Sequence, residues 1–259
     1  MGNPYAVHVS PFGLHFFIQK NSMNHLTLLK YPLLPLLIPQ GLWAKWRTPR
    51  LDEASGERIG SIGKGKLVRL LILGDSAAAG VGVKHQDQAL IGQLCHLFDV
   101  KNFQLDWQLH AKSGNTLIDL KQLAEQLPQQ SFDFVIISSG VNDILKQHSV
   151  QKWQIHYQEL YQYLQNHFGQ PQILFTQVPP LQHFSALPKT LAWYLGQHAQ
   201  AFNKNLNKNA QHLSNLHYVP LTLPTTREYL AEDGFHPSHL SYTIWAKNIL
   251  DYMKQEQLL

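Results

Sequence analysis

The stretch Val68–Gly80 reads VRLLILGDSAAAG, and it decides the fold of this chain. Its first six residues are apolar apart from Arg69, and the run stops at Gly74-Asp75-Ser76. A short apolar run bounded by turn residues is typical of a parallel strand that is buried between helices. We therefore predict a strand over Val68–Leu73, with polar residues directly beyond its carboxyl end.

Similar runs and helical patterns alternate along the rest of the chain. Four more strands are predicted at Phe103–Leu109, Phe132–Ser138, Gln172–Gln177 and Leu216–Leu221. Apolar residues at helical spacing lie between them, in the sets Leu90, Ile91, Leu94, Leu97, Phe98 and Trp153, Tyr157, Leu160, Tyr161, Leu164. A closing helix is predicted over His239–Met253, with Ser238 as its N-cap. The alternation predicts an α/β fold, a three-layer α/β/α sandwich around a mostly parallel five-stranded sheet.

Composition and charge limit the class of protein. The chain has 259 residues, of which 44% are hydrophobic and 15% charged, so it can form a sizeable core and is not a disordered polymer. Its single cysteine, Cys95, excludes an internal disulfide framework, and we expect it to be a small buried apolar residue. The net charge of +4 arises before residue 67, where eight lysines and arginines face three acidic residues. A body without a basic face argues against a nucleic-acid partner.

The N-terminal part differs from the body, and we predict an extension and linker over 1–66 and one folded domain over 67–259. Residues 26–43 read LTLLKYPLLPLLIPQGLW, in which Lys30 and three prolines leave too short an apolar run to span a bilayer. Trp43 and Trp46 stand beside cations, a pattern that suits a membrane surface. Two interpretations stay open for residues 26–50: peripheral membrane contact, or an arm packed on the body. Residues 47–66 read as a glycine-containing linker.

The sequence also gives expectations for the translation start and for the cellular location. Met23 is an alternative start to Met1. We expect a cytoplasmic protein, with peripheral membrane attachment or a periplasmic location as the alternatives.

Four groups of polar residues suit hydrolytic chemistry. Ser76 follows the first strand, and nearby backbone N–H groups can stabilise negative charge. Gly114 and Asn142 follow the second and third strands, where a bare N–H and a side-chain amide can serve the same purpose. Asp233 lies three residues before His236, a spacing that lets its carboxylate orient the imidazole. Each group taken alone is also compatible with an ordinary turn, but their order along the chain is specific.

The four blocks are, in chain order, Gly74-Asp75-Ser76, Gly114, Gly140-Val141-Asn142-Asp143 and Asp233-Gly234-Phe235-His236. With them the chain resembles the SGNH (GDSL-type) hydrolases, a family of esterases and lipases with a flavodoxin-like fold. The resemblance covers roughly residues 67–250, and Ala77 stands where the motif has leucine. It implies Ser76 as nucleophile, His236 as general base and then acid, and Asp233 as its orienting partner. It also implies an oxyanion hole formed by the N–H groups of Ser76 and Gly114 and the amide of Asn142, with no cofactor and no metal.

The substrate is expected to be a small-molecule carboxylic ester with a lipid-like or short-to-medium acyl chain, such as a lysophospholipid. An acyl pocket is predicted from Phe184, Leu187, Trp193 and Phe235. A carbohydrate or peptidoglycan O-deacetylase or an acyltransferase with the same triad is the first alternative. The others are a metal-dependent phosphoesterase using Asp75, Asp143 and His236, and a non-catalytic scaffold. A metal pair at His236 and His239 is a further interpretation that lacks supporting carboxylates.

Overall fold

The computed structural model describes residues 5–9, 15–19 and 25–259 of the chain, with side chains from residue 31 onward. The strands are β1 (Tyr5–Val9), β2 (His15–Gln19), β3 (Ile59–Ile62), β4 (Lys66–Gly74), β5 (Phe103–Ala111), β6 (Phe134–Ser138), β7 (Gln172–Thr176) and β8 (Leu216–Val219). The helices are α1 (His25–Arg47), α2 (Leu90–Asp99), α3 (Leu117–Glu125), α4 (Val141–Leu145), α5 (Val150–His167), α6 (Lys189–Ala210) and α7 (His239–Gln255). Met23, the alternative start, lies outside the described residues.

The main sheet has six strands in the order β3-β5-β4-β6-β7-β8, and β1 and β2 form a separate antiparallel pair. All five predicted strands are present, and they pair in parallel. Parallel neighbours require crossover connections, and the intervening helices supply them. The strands' carboxyl ends therefore meet at one edge of the sheet.

The strand count of five was one too low, because β3 lies inside the segment predicted as linker. It pairs antiparallel with β5 at the edge of the sheet. Ile59 and Ile62 are exposed there, and Trp107 lies against Gly60, so the segment lacks the continuous apolar run of a buried strand. The sheet thus begins before Lys66, and a domain boundary at that residue stays a prediction.

Alternate residues of β4 face two different cores. Leu71 and Leu73 pack with α3, α5 and α6, whereas Leu70 and Ile72 pack with α2 and α7. This is the period-two alternation of a strand covered on both faces. Trp153 is fully buried at the centre of the first core, stacked on Phe202 with ring centroids 4.4 Å apart. Cys95 is buried in the second core, as predicted, and burial raises its pKa to about 12.

The apolar N-terminal segment forms α1, which packs against α6. Leu37 and Ala44 are buried, whereas Leu36, Ile38, Leu42, Trp43 and Trp46 are exposed. The packed side of α1 agrees with the interpretation as an arm on the body, and membrane contact through residues 26–50 stays a prediction. Among the helices of the described residues, none has the length and apolar character needed to cross a membrane.

Candidate active site

Ser76 and His236 meet although they are 160 positions apart in the chain. Ser76 lies two residues beyond the end of β4, in a turn rather than at the start of a helix. His236 lies shortly before α7, and its Nε2 is 2.9 Å from the Ser76 Oγ. That distance lies within the range that proton transfer between a hydroxyl and a base requires.

The Asp233 carboxylate makes three hydrogen bonds, two of them to His236. Its Oδ2 lies 2.5 Å from His236 Nδ1, and its Oδ1 accepts from the backbone N–H groups of Phe235 at 2.9 Å and His236 at 3.0 Å. Burial by itself would raise the pKa of Asp233, but hydrogen bonds from the His236 ring and from these backbone groups outweigh burial and lower it. An ionised carboxylate at Nδ1 favours the tautomer with its proton there, which leaves Nε2 as an acceptor toward Ser76.

Gly114 and Asn142 line the same cavity as Ser76 and His236. Gly114 has φ +89°, and a Cβ at this position would meet nothing within 4 Å, so its backbone borders open space. Asn142 donates one amide hydrogen to the carbonyl of Asn115 at 2.9 Å, which orients its Nδ2 and leaves that atom a second donor hydrogen. The arrangement can present N–H donors to an oxyanion formed next to Ser76.

The sharp entry into α4 depends on a glycine. Gly140 has φ +128°, and a Cβ there would lie 2.5 Å from Val178 Cγ2. Asn142 follows two residues later, so the left-handed turn and the close approach of Val178 together set where this side chain begins.

The loop that carries Gly114 is anchored by two residues that the sequence analysis missed. Glu53 Oε1 accepts from the Ser113 N–H at 2.6 Å, and its Oε2 lies 2.7 Å from Arg58 Nη2. Arg58 also donates to the carbonyl of Ala111 at 2.6 Å. Burial would raise the pKa of Glu53, but hydrogen bonds from Ser113 and Arg58 lower it. Only contacts across more than 50 residues reveal this role, because neither residue belongs to a motif.

Two further carboxylates, each next to a candidate site residue in the chain, are buried. Burial raises the pKa of Asp75 to about 7, and burial also raises the pKa of Asp143. Asp143 Oδ1 lies 3.0 Å from His148 Nδ1, and ligand atoms of Asp143, His148 and His156 all lie within 4.8 Å of one another.

These three side chains are the group with metal-ligand spacing in the described part of the chain, in place of the set Asp75, Asp143 and His236. The other metal interpretation, at His236 and His239, pairs two side chains with different partners. His236 lies between Asp233 and Ser76, whereas His239 Nδ1 lies 3.2 Å from the Gln88 carbonyl.

Two cavities meet at Ser76, Phe235 and His236. The wide one has a volume of about 1020 Å³ and the narrow one about 100 Å³. Of the predicted acyl-pocket residues, Leu187 lines the wide cavity, Phe184 the narrow one and Phe235 both. Trp193 lines neither of these cavities and is 44% exposed on α6, so its assignment to the pocket was wrong.

A serine, an imidazole and a carboxylate lie in hydrogen-bonded order beyond the carboxyl edge of a mostly parallel sheet, which is the arrangement that α/β hydrolases with a serine nucleophile have. The sequence agrees with that class. Residues 72–244 match the model of the GDSL-like lipase/acylhydrolase family, and the chain belongs to this family. No curated protein matches the chain significantly.

Solved structures agree on the fold. The psychrotrophic esterase EstA from Pseudoalteromonas sp. is 20% identical, with a TM-score of 0.55, over 73% of this chain and 98% of that one. A family 3 carbohydrate esterase from Clostridium thermocellum is 16% identical, with a TM-score of 0.61, over 74% and 97%. The lipase/acylhydrolase from Enterococcus faecalis is 20% identical, with a TM-score of 0.54, over 73% and 96%. At these identities the similarity shows the fold alone.

Proposed function

We propose that this member of the GDSL-like family hydrolyses carboxylic esters through an acyl intermediate on Ser76. The observation that carries the proposal is the chain of hydrogen bonds from Ser76 Oγ to His236 Nε2 and from His236 Nδ1 to Asp233 Oδ2. A serine hydroxyl is a weak nucleophile, and a base within hydrogen-bond distance activates it.

In the first half-reaction, Ser76 Oγ bonds to the ester carbonyl carbon as its proton moves to His236 Nε2. The carbonyl oxygen becomes an oxyanion, which the N–H groups of Ser76, Gly114 and Asn142 stabilise. The tetrahedral intermediate collapses, the carbon–oxygen bond to the alcohol breaks, and His236 gives its proton to the leaving oxygen. Asp233 keeps the imidazolium oriented throughout.

In the second half-reaction, water attacks the acyl carbon and passes a proton to His236 Nε2. The bond to Ser76 Oγ then breaks, the oxygen takes the proton back, and a carboxylic acid leaves. Atoms and charges balance without a cofactor.

Labelling with a fluorophosphonate, followed by peptide mapping, tests the assignment of the nucleophile. We expect the adduct on the peptide that contains Ser76, with no adduct in Ser76→Ala. Ser113→Ala is the matched control, because Ser113 lines the same cavity and should leave labelling intact. An adduct on another peptide, or equal labelling of Ser76→Ala, would contradict the proposal.

The proposed substrate is a lipid-like ester. Leucine, isoleucine and aromatic side chains line much of the wide cavity beside Ser76, and burial of apolar chain surface there is favourable at roughly 25 cal/mol per Å². A sugar O-deacetylase would instead need many polar groups around its substrate. Comparing Ser76-dependent release of acid from a lysophospholipid, from p-nitrophenyl esters and from acetylated sugar separates the two. Preference for acetylated sugar would favour the carbohydrate alternative.

The exposed face of α1 supports peripheral contact with an anionic membrane. Trp46 is 84% exposed and Trp43 is 42% exposed. Lys45 and Arg47 of α1, and Arg50 just beyond its end, are also exposed. Arg47 lies 5.1 Å from the centroid of the Trp43 ring. Tryptophan and basic residues together match the chemistry of a headgroup region.

Sedimentation with phosphatidylcholine vesicles, with and without phosphatidylserine, tests this contact. We expect the full chain to bind the anionic vesicles, with binding reduced by salt and by Trp46→Ala. Val100→Ala is the control, because Val100 is exposed beside α2 on the opposite helical layer. Equal recovery of wild type and Trp46→Ala would reject the contact.

A further inference from the structure

We infer that α1 forms one wall of a groove that takes the acyl chain of the ester, so that residues outside the family's matched region set which chain lengths the enzyme accepts. This rests on the proposed ester hydrolysis and names where its substrate lies. The groove is the wide cavity of about 1020 Å³, at the top of the ~300–1,000 Å³ range of ligand sites. Leu34, Ile38 and Gly41 of α1 line it opposite Leu191 and Leu195 of α6.

The groove starts at the reacting atoms. Ser76, Gly114, Asn142 and His236 line the same cavity as α1. An acyl chain is joined to the carbonyl carbon that Ser76 would attack, so it must leave the site through a channel that begins there. The narrow cavity, of about 100 Å³, offers about a tenth of the volume of the groove.

The position of α1 is held by specific contacts. Leu37 and Ala44 are buried against the body. Gln40 Oε1 accepts from the Leu191 N–H at 3.0 Å, and this N–H belongs to the first turn of α6, where the amides have no partner within the helix. Pro188, the N-cap of α6, provides no side-chain acceptor, so Gln40 of α1 satisfies the amide instead.

The helix is not one that would persist by itself. Prolines 32, 35 and 39 each remove a backbone hydrogen bond within α1. Isolated helices are marginal even with all their hydrogen bonds, so packing on α6 stabilises this one. Packing on α6 therefore keeps α1 helical where it lines the same cavity as Ser76.

Gly41 marks the open part of the groove. A Cβ at Gly41 would meet nothing within 4 Å, although Gly41 lies within the helix and lines the cavity. At Gly196 in α6, by contrast, a Cβ would lie 2.4 Å from Gln182 Oε1, so that glycine is needed for packing. A glycine in a helix interior costs about 1 kcal/mol relative to alanine. At Gly41 no packing contact requires it, and the missing side chain leaves open space in the groove.

The series Gly41→Ala, Gly41→Leu and Gly41→Phe tests the groove. The measurement is kcat/KM for the p-nitrophenyl esters of acetate, butyrate, octanoate and palmitate, expressed relative to acetate for each variant. We expect the octanoate and palmitate ratios to fall progressively with side-chain size, by at least about tenfold in Gly41→Phe. Leu36→Phe is the matched control, because Leu36 is exposed on α1 outside the groove, and it should keep the wild-type ratios.

The outcomes separate this inference from the proposed function. If wild type shows no Ser76-dependent hydrolysis of any ester, the proposed function fails. If wild type hydrolyses esters but the Gly41 variants keep the wild-type ratios, the acyl chain binds elsewhere and the groove assignment is overturned. Should Gly41→Phe fold poorly, labelling of wild type and Gly41→Leu by fluorophosphonates of increasing alkyl length gives the same comparison, and equal rates at every length would overturn the inference.

Discussion

Asp233→Asn should abolish most of the esterase activity while leaving the fold intact. Two backbone N–H groups, of Phe235 and His236, point at Oδ1 of Asp233. An asparagine would therefore keep its carbonyl oxygen at Oδ1 and turn its NH₂ toward His236 Nδ1. Because that nitrogen must then accept a hydrogen bond, the imidazole proton moves to Nε2, which faces Ser76 and can no longer act as a base.

The expected loss follows from this change of tautomer. A carboxylate-to-amide exchange at the corresponding position of a serine triad lowers kcat by about 10⁴-fold, which corresponds to ~5 kcal/mol of transition-state stabilisation. The assay is kcat and KM for p-nitrophenyl butyrate, together with circular dichroism to verify folding. We expect KM to change much less than kcat, because the buried Asp233 carboxylate acts through the His236 ring.

Glu232→Gln is the matched control, since it makes the same exchange at the neighbouring exposed carboxylate. It should retain wild-type kcat. A folded Asp233→Asn variant with kcat within about tenfold of wild type would refute the tautomer argument, because one orienting partner would then be dispensable.

Three other predictions concern Asn142, Asp75 and Trp153. Asn142→Ala should lower kcat by about 10²–10³-fold with little change in KM, and steady-state kinetics that show only a KM effect would contradict its place in the oxyanion hole. For Asp75, a native pKa of about 7 against a lower unfolded value means that the folded state holds the proton more tightly. Its stabilising contribution is therefore lost as pH rises from about 4 to 7; urea unfolding of Asp75→Asn should lack that loss, and a pH dependence equal to that of wild type would disprove it. Trp153→Ala should cost about 3–5 kcal/mol of unfolding free energy in urea titrations, and a cost below about 1 kcal/mol would mean that the aromatic cluster repacks.

The sequence predicted the buried strands well, because a parallel strand covered on both faces must be apolar along its whole length. The edge strand β3 was missed for the opposite reason. This strand pairs with β5 alone, and its residues Ile59 and Ile62 remain exposed. Its sequence therefore lacks a continuous apolar run and resembles a linker. The helix α1 was also hidden, because three prolines argue against a helix in any local reading.

The chemistry that we propose could be read from the sequence. The motifs that hold Ser76, Gly114, Asn142, Asp233 and His236 occur in a specific order along the chain, and that order carries the resemblance to a family of hydrolases. Tertiary structure alone decided which surfaces surround that chemistry. Glu53 on the loop of Gly114 and α1 beside Ser76 are contacts between segments far apart in the chain. Such contacts depend on packing complementarity rather than on local pattern, so they could not be predicted from any single stretch of the sequence.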